Sequence, residues 1–241
     1  MSWIDDLVAD GWVHLPGRCP VARVDAANAA IDESLRNRFD PGQQASYDAR
    51  SYCPELRRAP VILDLLRAPG VRAALDAVLG WRRLRGYNGQ IAIRRAHNHP
   101  AQVAPHAHID GIQSPHNGVT STSLLTHTVL VGVYLTETPR TFAGNFTVWP
   151  GSHRSHAAWF RAQGRAAMTA GQPNVEIGAP KQVMTRPGDL ILSHYLTAHA
   201  AAVNTSDVER RAIYFRLSLW GLRWNRYAHL IEPWRGWTLA G

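Results

Sequence analysis

The chain has 241 residues, 45% hydrophobic and 18% charged, which fits one large globular domain with a sizeable core better than two small ones. Lys and Arg number 26 against 18 Asp and Glu, a formal net charge of +8 that attracts anions. The arginines nevertheless fall in scattered pairs such as Arg57–Arg58, Arg82–Arg83 and Arg94–Arg95, and no basic block tracks a phosphate backbone, so nucleic acid is not the expected partner. Cys19 and Cys53 form no CxxC pair, which argues against a disulfide scaffold or a thiolate zinc site. No apolar run approaches the roughly 20 residues of a membrane span, and a soluble, cytoplasmic protein is expected.

The first third reads as helical. Ser2 caps a short SWIDDLVAD helix that stops at Gly11, and a brief WVHLP strand follows. VARVDAANAAIDESLRNRF carries apolar residues at helical spacing, and VILDLLRAPGVRAALDAVLG divides into two helical pieces at Pro69 and Gly70. From Trp81 onward, short alternating or apolar runs are separated by Gly, Pro and Asn, the pattern of an all-β barrel or sandwich. The predicted strands are RLRGYNGQIAIRR, APHAHID, THTVLVGVYLTE, GNFTVWP, KQVMTR, GDLILSH, AHAAAVN and RRAIYFRLSLW, with HAAWFRAQGRAAMTA as a helix or ordered insertion among them. No repeat or low-complexity linker marks a boundary. Residues 1–241 are therefore read as a single domain, with a helical buttress over 1–80, a β core over 81–222 and a C-terminal tail over 223–241.

His108 and Asp110 stand two apart in APHAHID, so strand alternation puts both on one face, with His106 beside them. GDLILSHYLTAH then offers His194 or His199. Two imidazoles and one carboxylate on one face of an octahedral ion, with the opposite positions open, are the ligand set of non-haem Fe(II) oxygenases. At this level His106 with His108 is an alternative ligand pair, and His106 could instead support the metal shell or contact substrate. A polar strand edge whose histidines face water is the plain alternative. No HExxH stretch supports a zinc hydrolase.

The elements HID, PGSH and GDLILSHYLTAH resemble the phytanoyl-CoA dioxygenase family, whose pattern is HxD, a PGSH turn and a GDLLLFHG-type strand ending in a second histidine. The resemblance covers roughly residues 85–220 and implies a mainly β fold with flanking helices, built on a double-stranded β-helix (jelly-roll, cupin-like) core. It selects His199 as the third ligand and leaves His194 as an inward-facing neighbour. Arg210, eleven residues after His199, falls where the family places the arginine that grips the distal carboxylate of 2-oxoglutarate. A guanidinium suits that role, because its planar fork donates two parallel charge-assisted hydrogen bonds and stays charged when buried.

YNGQIAIRR resembles the family strand that gives an amide and a basic residue to the cosubstrate site, here Gln90 and Arg94 on one strand face. Ala201 departs from the pattern, since a Ser or Thr hydroxyl is common two residues after the ligand histidine, and Thr128 is the candidate to replace it. The substrate-side candidates are His106, Trp149 beside the PGSH turn, and Tyr214 and Arg216, which alternate onto the face of Arg210. Arg211 faces the other way.

As the resemblance implies, the cofactors are Fe(II) and 2-oxoglutarate, and the partners are dioxygen and a small molecule. The implied reaction is hydroxylation of a C–H bond, with 2-oxoglutarate converted to succinate and carbon dioxide. Related halogenases carry a small residue in place of the carboxylate, so Asp110 points to hydroxylation. Inward-facing Arg94 and Arg216 suggest an anionic or carrier-bound metabolite, as for tailoring enzymes of secondary metabolism. Two other classes are weighed against this: a non-catalytic β-barrel ligand-binding protein with a vestigial metal site, hinted at by Ala201, and an oxygenase acting on a macromolecule, hinted at by the net charge.

Overall fold

The computed structural model describes residues 2–112, 124 and 127–239. Helix α1 (Trp3–Asp10) begins at a capping box, in which the Ser2 hydroxyl accepts from the Asp5 N–H while the Asp5 carboxylate accepts from the Ser2 N–H. It ends at Gly11, whose φ of 79° lets its N–H reach the Leu7 carbonyl. Strand β1 (Trp12–Leu15) and helices α2 (Val21–Arg38), α3 (Gln44–Ala49), α4 (Pro60–Leu66) and α5 (Pro69–Val78) follow. The predicted helical break falls at residues 67–68, because Pro69 takes the first position of α5, where its missing N–H removes no hydrogen bond. The short α3 was not expected.

The β region comprises β2 (Leu84–Arg85), β3 (Gly89–Arg94), β4 (Val129–Tyr134), β5 (Phe146–Val148), then helix α6 (Ser152–Gln163), β6 (Lys181–Val183), β7 (Leu190–His194), β8 (His199–Ala201) and β9 (Arg210–Leu219), with α7 (Arg226–Ile231) near the end. One antiparallel sheet runs β1-β7-β4-β9-β2 with β3 also paired to β9, and a smaller one runs β6-β5-β8. Together they form a jelly-roll whose barrel is not closed. Thr126, the first residue of the predicted THTVLVGVYLTE strand, lies outside the described residues.

Period-two alternation sorts the side chains of the large sheet. Ile91, Ile93, Val131, Leu192, Ile213 and Phe215 meet α2, α4 and α5 in the larger core, while Leu130, Tyr134, Ile191 and Tyr214 meet Phe146, Val148 and Val183 of the small sheet. Each fully buried Leu, Ile or Phe contributes about 1.5–3 kcal/mol. The same register sets Gln90 opposite Tyr214 and Arg94 opposite Arg210, all on the face toward the small sheet.

APHAHID is not a strand. Residues 101–104 are exposed, Pro105 has no N–H to give, and only His108 pairs, exchanging N–H···O bonds of 3.1 and 3.0 Å with His199. The C-terminal tail is packed rather than loose. Trp234 lies edge-on to His194 at 4.9 Å, and both Trp234 and Trp237 pack against the larger core.

This packing buries two histidines as neutral rings. Burial, then His153, pushes His194 down to about 3, and burial, then Arg154, pushes His153 down to about 4. Because the unfolded chain protonates these rings near 6.5 and the folded chain does so only well below, their contribution is complete above pH 6.5 and is lost as pH falls toward 3–4. The slope is about 1.4 kcal/mol per pH unit for each ring. Thermal stability is expected to fall progressively from pH 7 to pH 5, less steeply in His194→Gln; a profile independent of pH in both proteins would contradict this.

Candidate active site

His108 is fixed by its bridge to His199, which opens β8, and Asp110 sits in the turn that follows, where Gly111 takes a φ of 77°. Convergence thus comes from a bridge plus a turn, not from strand alternation. Gln172 clamps this turn, accepting from the Ile109 N–H at 3.0 Å and donating to the Ile109 carbonyl at 2.9 Å. The ligand atoms of His108, Asp110 and His199 all lie within 4.8 Å of one another. His199 Nε2 is 3.5 Å and His108 Nε2 3.8 Å from the Asp110 carboxylate. The Nδ1 of His199 lies 3.0 Å from the Thr197 carbonyl and that of His108 3.5 Å from the His106 carbonyl, which assigns the proton to Nδ1 and leaves each Nε2 lone pair facing Asp110. Phe146 stacks on the His199 ring at 5.6 Å.

The electrostatics suit a cation. Burial, then His199, pushes His108 down to about 4, which keeps it neutral. Burial pushes the Asp110 carboxyl up, but Arg216, followed by His199, outweighs it and holds the group well below the usual carboxylate range. Two neutral imidazoles and one ionised carboxylate form the donor set that a divalent iron takes.

These residues border a cavity of about 140 Å³, also lined by Gln90, Arg94, Arg210, Tyr214 and Arg216. Arg210 is 1% exposed, its Nε donating to the Gly144 carbonyl at 2.7 Å and its Nη1 to the Ala92 carbonyl at 3.0 Å. Arg94, its cross-strand neighbour, has its pKa lowered by burial and then by Arg210, and its nearest carboxylate is Asp48 at 4.0 Å. Arg216 bridges the site, donating from Nε to Asp110 at 2.8 Å and from Nη1 to Gln90 at 2.7 Å. The Tyr214 hydroxyl is 2.9 Å from that of Tyr134, and its ring lies over Gly132, where an added Cβ would come within 2.8 Å of it.

Three expected site residues are placed elsewhere. Thr128 does not reach the cavity: its hydroxyl, one residue before β4 begins, accepts from the Leu219 N–H at 3.0 Å. It cannot replace the hydroxyl missing at Ala201, which does line the cavity. Trp149 is buried against Ala198 and Ala200, its N–H tied to the Ala198 carbonyl, so it packs the turn rather than the pocket. His106 is exposed in the irregular segment before His108 and is not among the lining residues. His194 points the other way, with Nε2 2.7 Å from the Pro233 carbonyl, and Arg211 pairs on the helix side with Asp32 and Glu209. Tyr47, Asp48 and Tyr52, from α3 and the segment after it, line the cavity unforeseen, as a short helix and a single bridge to Ile91 carry no motif.

No curated protein matches the chain by sequence. Among solved structures, the nickel complex of the non-heme monooxygenase ThoJ is 21% identical, with 90% of this chain and 79% of that one covered and a TM-score of 0.59. The non-heme alpha-ketoglutarate-dependent carbocyclase SnoK from nogalamycin biosynthesis is 22% identical, with coverage of 89% and 84% and a TM-score of 0.54. HygX from Streptomyces hygroscopicus, with nickel and 2-oxoglutarate bound, is 16% identical, with coverage of 91% and 86% and a TM-score of 0.59. At these identities the likeness is one of fold. The family model for phytanoyl-CoA dioxygenase (PhyH) matches residues 7–212, most of the sequence and the whole of the ligand cluster. The chain belongs to the phytanoyl-CoA dioxygenase family, and it is an oxygenase of the iron- and 2-oxoglutarate-dependent kind.

Proposed function

We propose that the protein hydroxylates an unactivated C–H bond of a small metabolite that is anionic or carrier-bound, in the cytoplasm and within secondary metabolism, the setting SnoK's part in nogalamycin biosynthesis exemplifies. The buried free thiols of Cys19 and Cys53 fit a reducing compartment. His108, Asp110 and His199 would hold iron(II) through two neutral imidazoles and a carboxylate. With 2-oxoglutarate and dioxygen, the bound metal supplies the oxidant for the C–H bond, while 2-oxoglutarate becomes succinate and carbon dioxide.

The remaining residues bind and orient. Arg210, held rigid by two backbone carbonyls, is placed to receive the distal carboxylate of 2-oxoglutarate, with Arg94 beside it and Gln90 on the same sheet face. Leu130, Ala92 and Phe146 give the cavity apolar walls that exclude water. Asp110 supplies the ligand oxygen whose position a halide would need, which favours hydroxylation.

The observation that carries the substrate class is Arg216. Its Nε and Nη1 are committed to Asp110 and Gln90, its side chain is 38% exposed, and no partner among the described residues takes Nη2. A substrate anion would be drawn to that guanidinium. Arg216→Ala is expected to raise KM for acidic substrates tenfold or more, read as substrate-dependent succinate formation, with a smaller effect on neutral analogues. Unchanged turnover of every acidic substrate would sink the assignment.

A further inference from the structure

Beyond Arg216, strand β9 leads out of the cavity. Ser218 lies two residues on and on the same face, roughly 7 Å along the strand, and it lines a groove of about 520 Å³ with Arg85, Trp220, Arg223, Trp224 and Arg226. Trp220 and Trp224 are 70% and 61% exposed, their rings edge-to-face at 5.6 Å. Large aromatic surfaces left in water at one spot mark a binding face rather than packing. Arg223 lies over the Trp224 ring at 4.6 Å.

The three arginines have no carboxylate partner among the described residues, and no acidic side chain lines the groove. Arg85 is held by the carbonyls of Arg82 and Leu84, at 2.9 and 2.7 Å, and Arg226 by that of Leu124 at 3.1 Å. Carbonyls orient a guanidinium without neutralising it, so the groove keeps three uncompensated positive charges beside two flat apolar rings. That combination fits a ligand with a ring for the tryptophans and an anionic group for the arginines.

We infer that this groove is a second binding site, which takes the ring-bearing, anionic distal end of the substrate whose reacting end lies at the metal centre. The inference rests on the small-molecule oxygenase reading above, and it adds where the rest of the substrate lies. Arg216 of the metal cavity and Ser218 of the groove stand two apart on one face of β9, so a substrate spanning that distance would reach from the groove to the ligand cluster.

The test uses the full chain, kept anaerobic with Fe(II) and 2-oxoglutarate, and 1-naphthyl phosphate as probe in a calorimetric titration. Inorganic phosphate and 1-naphthol serve as the half-ligands. Naphthyl phosphate is expected to bind, each half-ligand at least tenfold more weakly, and Trp224→Ala and Arg223→Gln each to weaken the full probe tenfold or more. Both variants alter exposed side chains outside the metal cavity and should keep the visible absorption of bound 2-oxoglutarate; absence of that absorption in the parent protein would count against the oxygenase reading and not against the groove. Probe affinity unchanged in both variants would overturn the inference. So would concentration-dependent dimerisation abolished by Trp224→Ala, which would make the face an interface between copies.

Discussion

Arg210→Leu is expected to abolish saturable 2-oxoglutarate binding at millimolar concentrations while leaving iron affinity within a few-fold of the parent protein. Arg210 is the largest side chain buried below 2%, and its two backbone contacts point the fork into the cavity without supplying a countercharge. Losing one partner of a buried charge-assisted pair costs about 2–5 kcal/mol, roughly a 30-fold to several-thousand-fold rise in Kd. Arg210→Lys should recover only part of this, since an ammonium cannot make two parallel bonds. The check is anaerobic titration with 2-oxoglutarate by calorimetry; near-parental affinity in Arg210→Leu would move the carboxylate site elsewhere, with Arg94 the next candidate.

The second large effect is expected at Gly144, a residue that brings no side chain to the site. Its φ is 73°, its carbonyl accepts from Arg210, and an added Cβ would stand 2.9 Å from the Arg94 Cβ and 3.1 Å from the Arg210 Cβ. The left-handed conformation costs a residue with a Cβ about 1–2 kcal/mol, and crowding between two strands adds about 1–3 kcal/mol. Gly144→Ala should therefore lower the melting temperature by roughly 5–15 °C and weaken 2-oxoglutarate binding, because the backbone that aims Arg210 must shift. Gly178→Ala is the control: its φ is 74° but nothing lies within 4 Å of the added Cβ, so it should carry the backbone cost alone and leave 2-oxoglutarate affinity unchanged. Equal effects in the two variants would show that crowding at Gly144 is immaterial.

The contrast between these residues shows what was legible beforehand. Strands β3 and β9 announce themselves by period-two alternation and β4 and β7 by continuous apolar runs, and the period of two carries Gln90, Arg94, Arg210, Tyr214 and Arg216 onto one face, so their meeting around one cavity could be anticipated. Thr128 could not be placed, because it stands just before β4 and its hydroxyl is captured by the Leu219 N–H, a register detail that composition does not encode. Trp149 is read by its nearness to the PGSH turn and His106 by the alternation of a strand that does not form, whereas inward direction depends on which neighbour pairs. Asp48, Tyr52 and Gln172 were invisible for a related reason. Each reaches the site from a short helix, a single bridge to β3 or an irregular segment without periodicity, and only tertiary packing brings it there.

Fold and ligand set meet in one measurement: anaerobic titration of the metal-free protein with Fe(II) and then 2-oxoglutarate, followed by visible absorption. A metal-to-ligand charge-transfer band that saturates at one equivalent of each, and is absent in a folded His199→Ala protein, is the expected result. No band in the folded parent protein, or a band that persists in His199→Ala, would contradict the assignment of His108, Asp110 and His199 as the iron ligands.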